Sequence, residues 1–131
     1  PTGDAQVIQC LQDKAEDEGF PAGCREVVEA DLEASNHDWR LKFGISTQCR
    51  SDVERHCRKV MNVGGGGVLD CLQAHMSELG MPGCRQEMRR YISQGASNIK
   101  VSGTMYEKCV DDVESLCKDV VPGGGRVHDC L

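Results

Sequence analysis

The residues with the most chemistry in this chain are nine cysteines: Cys10, Cys24, Cys49, Cys57, Cys71, Cys84, Cys109, Cys117 and Cys130. Cysteines bind zinc, act as nucleophiles or pair as disulfides. Zinc sites draw on close pairs such as C-x2-C. No such pair occurs here, and the tightest spacing is C-x7-C. A nucleophilic thiol needs a lowered pKa and a basic partner. The four histidines, His37, His56, His75 and His128, are scattered along the chain. His75 has no evident carboxylate or serine partner, so all four read as surface residues. Disulfides remain, and they imply an oxidising compartment: the secretory pathway or the cell exterior.

Other chemistry falls away on similar grounds. The glycine run at 64–67 lacks the Lys-Ser/Thr that completes a phosphate loop. Asp52 and Glu54 recur as Asp112 and Glu114. Paired carboxylates can act as general acid and base, but residues that recur once per repeat usually serve the repeat as caps, salt bridges or exposed charge. No D-x-D-x-D-G calcium loop is present. The sequence therefore assigns no catalytic, cofactor-binding or metal-ligating residue and reads as a non-catalytic module. A net charge of −6 argues against nucleic acid. No apolar run approaches the ~20 residues of a membrane span. Any membrane attachment is expected through segments outside this chain. Asn36, Asn62 and Asn98 all lack the Ser or Thr of a glycosylation site.

An internal repeat must position these cysteines. A shift of about 60 residues lays Cys10 on Cys71, Cys24 on Cys84, Cys49 on Cys109, Cys57 on Cys117 and Cys71 on Cys130. The intervening text overlays too: Cys49-Arg-Ser-Asp-Val-Glu-Arg-His-Cys57 matches Cys109-Val-Asp-Asp-Val-Glu-Ser-Leu-Cys117. The chain starts and ends at the same phase of the repeat, which predicts a segment of a longer array with repeats on both sides. The expected division is the second half of one repeat with a linker (1–48), one complete repeat (49–108) and the first part of the next (109–131).

The elements read as helices. Ile45, Cys49, Val53, Cys57, Val60 and Met61 form an apolar stripe at three- and four-residue steps and predict a helix over 46–61. Its copy carries Met105, Cys109, Val113, Leu116, Cys117 and Val120, with Thr104 and Glu107 as a capping box. The glycines at 64–67 and 123–125 reverse the chain. A second helix is expected over 68–79, with Val68, Cys71, Leu72, Met76 and Leu79 inward. A third starts near Cys84 with Met88, Tyr91 and Ile92, and its earlier copy carries Val27, Val28 and Leu32. Loops are expected at 35–44 and 95–103. The fold class is all-α: tandem, disulfide-linked helical hairpin repeats in an elongated array. Few aromatics are available, two Phe, two Tyr and one Trp, and so small a core needs staples.

Geometry limits the pairing. Cys49 and Cys57 lie eight residues apart on one helix, ~12 Å along the axis, beyond the ~7 Å Cα separation a disulfide tolerates. Cys57 and Cys71 each lie seven residues from Gly64 and face each other across a hairpin. This predicts Cys57–Cys71 and, by the repeat, Cys117–Cys130. Cys84 is then the partner at the level of Cys49. Cys10, Cys24 and Cys109 are left to bond outside the chain. The alternative closes Cys10 on Cys24 and leaves one thiol free.

The pattern Cys49-x2-Asp52-Val53-x3-Cys57, a glycine-rich turn, Val68, Cys71-Leu72, x11, Cys84 resembles the cysteine-rich repeat of the Golgi apparatus protein 1 family, the E-selectin ligand or cysteine-rich fibroblast growth factor receptor type. The resemblance covers essentially the whole chain in a shifted frame. It implies a large secreted or type I membrane protein with many tandem repeats, located in the secretory-pathway lumen (Golgi) or at the cell surface, and luminal or extracellular binding without catalysis. Growth factors and selectins are partners of the animal protein, but the motif records fold and carries none of them over by residue.

Charge is uneven. Residues 1–35 hold nine acids and two bases, while 36–60 hold three acids and six bases. Arg85, Arg89 and Arg90 make a second basic cluster. Solvated helix faces are the plain explanation. The sharper expectation is contact with a sulfated glycan or a protein partner, such as a neighbouring repeat, another subunit or a secreted ligand. Two functions follow: a structural or assembly scaffold, and alternatively a ligand-binding or sorting module.

Overall fold

The computed structural model describes residues 6–131. In chain order the helices are α1 (Gln6–Lys14), α2 (Ala22–Asn36), α3 (Phe43–Gln48), α4 (Arg50–His56), α5 (Gly67–Ala74), α6 (Pro82–Ser97), α7 (Thr104–Leu116) and α8 (Arg126–Cys130). Single 3-10 turns lie at Trp39–Leu41, Met76–Glu78 and Ile99–Val101. There is no strand among the described residues. The fold is all-α, and none of the described helices is long and apolar enough to cross a membrane.

Several boundaries differ from the expectation. The stripe expected as one helix over 46–61 starts at Phe43, breaks at Cys49 and ends at His56. Its last residues, Val60 and Met61, lie in turns yet still pack on the core. The second helix stops at Ala74 and tightens into the 3-10 turn Met76–Glu78. The loops expected at 35–44 and 95–103 shrink because α2 reaches Asn36 and α6 reaches Ser97. Thr104 and Glu107 make no capping box. Gly103 is the N-cap of α7, at φ +53°, and a Cβ there would meet Tyr91 Oη at 2.7 Å. Thr104 Oγ1 instead donates to Asp70 Oδ2 at 2.7 Å, and Glu107 pairs with His37 at 2.7 Å.

The 60-residue offset is visible in backbone detail. Gly65 N–H donates to His37 O at 3.0 Å, and Gly125 N–H donates to Ser97 O at 2.8 Å. Asp38 caps the first 3-10 turn through Arg40 N–H, and Asn98 caps its copy through Lys100 N–H, both at 3.0 Å. Gly65 at φ +82° and Gly123, Gly124 and Gly125 at +115°, +57° and +74° adopt conformations that side chains resist. That is why the reversals after α4 and α7 are glycine-rich.

The main core joins α3, α4, α5 and α6 around Trp39, Ile45, Val53, Val68, Leu69, Leu72 and Met88. Cys49, Cys57 and Cys84 lie inside it. A second cluster, with Val28, Leu32 and Val101, ties α1 and α2 to the turn at Ile99–Val101. A third joins Ile99, Cys117 and Val127. Three expected core residues point outward: Val27 is 68% exposed, Leu116 71% and Met105 48%. Their stripes are wider than the surface that neighbouring elements cover.

Candidate functional site: the disulfide framework and the junction between units

Three disulfides run through the chain: Cys49–Cys84, Cys57–Cys71 and Cys117–Cys130, with Cα separations of 4.7, 5.9 and 6.1 Å. The last two are equivalent: each ties the helix end before a glycine reversal to the helix after it. Cys49 stands at the break between α3 and α4, and Cys84 near the start of α6. Cys10, Cys24 and Cys109 carry free, half-buried thiols.

The Cys49–Cys84 bond lies beside a buried carboxylate. Asp52 is 1% exposed, and its two oxygens accept from Gly80 N–H at 2.8 Å and Met81 N–H at 3.2 Å. A charge this buried must be hydrogen-bonded. Here it fixes the turn that leads from α5 into α6. Arg85 donates to Leu79 O in the same turn. Asp112, the sequence copy of Asp52, is exposed.

The junction around α6 is dense. Arg90 Nη2 donates to Gln9 O at 2.8 Å and pairs with Asp13 at 2.9 Å. Buried Asn36 Nδ2 donates to Val101 O at 2.7 Å, while its Oδ1 has no partner. Asn98 Nδ2 reaches Glu29 at 3.3 Å, and Ser97 donates to Glu16. The three arginines of the basic cluster thus have different surroundings. Arg85 and Arg90 are half-buried in internal contacts, and Arg89 is exposed.

A cleft of 260 Å³ opens beside this junction, with Lys42, Ser35, Glu87, Arg90 and Tyr91 on its wall. Lys42 Nζ donates to Ser35 Oγ at 3.1 Å and lies 5.4 Å over the Tyr91 ring. Burial lowers the Lys42 pKa from 10.5 to about 8, aided by Arg90 and opposed by Asp31 and Glu87. Burial, with Asp70 adding to it, raises Tyr91 from 10.0 to about 12. The signs follow from linkage. Below pH 8 Lys42 is charged in both states and the folded state carries the whole desolvation penalty. Between pH 8 and 10.5 the unfolded chain binds more protons, so stability rises with pH. Above pH 10 the Tyr91 phenol ionises first in the unfolded chain, and stability falls. Lys42→Met is therefore expected to stabilise the protein by roughly 2 kcal/mol at pH 7. Urea midpoints of the two proteins should converge towards pH 10.

His37 is exposed, as the surface reading expects, but His56, His75 and His128 are half-buried. His56 stacks on His75, with ring centroids 5.2 Å apart and planes at 21°. The His56 side chain is only 16% exposed; its Nδ1 lies 3.9 Å from Glu78 Oε2, and its Nε2 is buried without a partner. Spacings of 19 and 3 residues between His56, His75 and Glu78 match no familiar ligand motif, and only the hairpin brings them together. His128 Nε2–H donates to Gly95 O at 2.8 Å.

Comparison with known proteins gives a consistent picture. The family model described as "Cysteine rich repeat" matches residues 22–80 and 82–131. Golgi apparatus protein 1 of Homo sapiens is 23% identical over 130 residues, 98% of this chain and 11% of that protein. The Cricetulus griseus protein of that name has the same figures. The Golgi apparatus protein 1 homolog of Caenorhabditis elegans is 24% identical over 140 residues, 98% of this chain and 12% of its own length. The chain thus spans about a tenth of the length of the curated relatives it matches. No solved structure matches. The disulfides and these relatives place the chain in the secretory-pathway lumen or outside the cell. The family is defined by its repeat and not by a catalytic activity. With two successive matches that together run from residue 22 to residue 131, well over half of its length, the chain belongs to the cysteine-rich repeat family.

Proposed function

We propose that this chain is a non-catalytic scaffold segment of a larger luminal or extracellular protein, in which successive units are stitched covalently. One observation carries the reading. With the units framed as the family model matches them, the Cys49–Cys84 disulfide crosses from the first unit to the second. The Asn36–Val101 bond reinforces that crossing, and Arg90 of the second unit also pairs with Asp13, which precedes the first. A bond and a packed junction make a stiff connection, which suits a one-dimensional array in which each unit touches its neighbours. Cys10, Cys24 and Cys109 are the copies of Cys71, Cys84 and Cys49, which are bonded. In this reading they continue the stitching to units before and after.

Non-reducing peptide mapping of the intact native polypeptide tests it. The expected result is Cys10, Cys24 and Cys109 each bonded to a cysteine outside residues 1–131. A Cys10–Cys24 bond, or three free thiols, overturns the stitched array.

The alternative, a module that captures a secreted factor or sulfated glycan, draws on the basic cluster. It is the weaker reading, since Arg85 and Arg90 already serve internal contacts. Arg89→Glu alone is expected to leave retention on a heparin column unchanged. Loss of a strong, salt-sensitive retention on that single change would favour the binding module instead.

A further inference from the structure

We propose that His56, His75 and Glu78 bind one zinc ion at the side of the Cys57–Cys71 hairpin. One ring nitrogen from each histidine and one Glu78 oxygen lie within 4.8 Å of one another. Ligands of a tetrahedral zinc, with bonds of about 2.0–2.1 Å, sit about 3.4 Å apart. The donors therefore need to close by little more than ~1 Å. Glu78, whose side chain is 60% exposed, is free to make most of that movement.

The two histidines are prepared for this in different ways. His75 Nδ1 lies 2.9 Å from Cys71 O. A carbonyl oxygen only accepts, so Nδ1 carries the proton and Nε2 keeps its lone pair. A backbone carbonyl that fixes the tautomer and the ring in this way is the usual outer support of a zinc-binding histidine. His56 Nδ1 faces Glu78 Oε2 at 3.9 Å, too far for a hydrogen bond, while the other ring nitrogen, Nε2, is buried without a partner. That spacing leaves room for a cation between the groups. His56 ends α4 and His75 caps α5, and the free carbonyls of helix C-termini favour positive charge.

The fold itself does not call for a histidine at position 56. In the second unit Leu116 stands where His56 stands in the first, and the helix ends the same way. Cys57 and Cys117 cap their helices at nearly identical angles, −124°, 21° and −126°, 21°. The disulfide also removes a rival arrangement. Cys57, Cys71 and His75 cluster as well, but the two sulfurs are bonded to each other and offer no thiolate. What the bond does supply is rigidity, since it locks together the two helices that carry the histidines. Three protein ligands leave a fourth position for water, and the two-imidazole, one-carboxylate set suits zinc rather than calcium or magnesium.

The test uses chelator-stripped protein with its disulfides intact and Cys10, Cys24 and Cys109 alkylated, so that no free thiol competes. Calorimetric titration with zinc chloride is expected to give one ion per chain and a raised melting temperature. His56→Asn and His75→Asn should each weaken binding about tenfold or more, and Glu78→Gln about tenfold. His37→Asn and His128→Asn should bind as the parent does. In case a core histidine variant unfolds, imidazole ¹⁵N spectra of the unsubstituted protein give an independent reading. Zinc must shift His75 Nε2 while Nδ1 stays protonated. No stoichiometric uptake, uptake indifferent to His56 and His75, or unshifted His75 nitrogens would each sink the proposal.

Discussion

Replacing Cys49 and Cys84 together by alanine is expected to lower the unfolding free energy by about 4 kcal/mol, the larger of the two hairpin-core disulfide effects. The link spans 35 residues, against 14 for Cys57–Cys71. Closing the longer loop in the unfolded chain costs more entropy, and chain statistics give about 4 and about 3 kcal/mol for the two lengths. Both Cys49 and Cys84 are fully buried, so no solvent contact replaces what is lost. The double substitution avoids stranding a reactive thiol. Urea unfolding of the two double variants measures the order. A smaller loss at 49 and 84 than at 57 and 71 would refute the loop argument. It would mean that residual structure in the unfolded chain already holds α4 near α6.

Asp52→Ala is expected to cost about 3 kcal/mol, because two backbone N–H groups lose a charged acceptor inside the fold. Gly80 and Met81 are those donors, at 2.8 and 3.2 Å. They shape the turn before α6, so the loss should loosen the whole start of that helix. Asp52→Asn keeps one acceptor and points an amide N–H₂ at the other donor, and it should also destabilise. Asp112→Ala supplies the control. Its carboxylate is exposed, and a change there should stay within about 0.5 kcal/mol. Equal urea midpoints for the two alanine variants would remove any special role for the Asp52 clamp.

The pair Asp52 and Asp112 also marks the limit of reading from sequence. Both stand three residues after a cysteine and one before a valine, and nothing local tells them apart. The turn at Gly80 and Met81 folds back onto Asp52 from 28 residues away, and at the repeat offset its counterpart for Asp112 falls beyond Leu131. His56 and His75 were hidden for the same reason: their closeness depends on a hairpin register, and neither has a local motif. Val27 and Leu116 fit apolar stripes yet remain exposed, because a periodic pattern names a face without saying how much of it a neighbour covers. The break at Cys49 and the 3-10 turn at Met76–Glu78 are set by packing, which overrides the propensity of a short segment.

The class of the molecule is legible in chain order. Nine cysteines, an offset of about 60 residues and apolar steps of three and four leave a helical, disulfide-stapled repeat as the consistent solution. Equal spacing about Gly64 determined that Cys57 and Cys71 could meet across a reversal. These are local or periodic properties, written in chain order and set by backbone geometry. Which carboxylate is buried, which arginine stays free, which lysine loses its water and which histidines touch are settled by the folded arrangement. Burial and contact depend on where distant segments arrive, and the free energy of a charge depends on that surrounding more than on its neighbours in the chain.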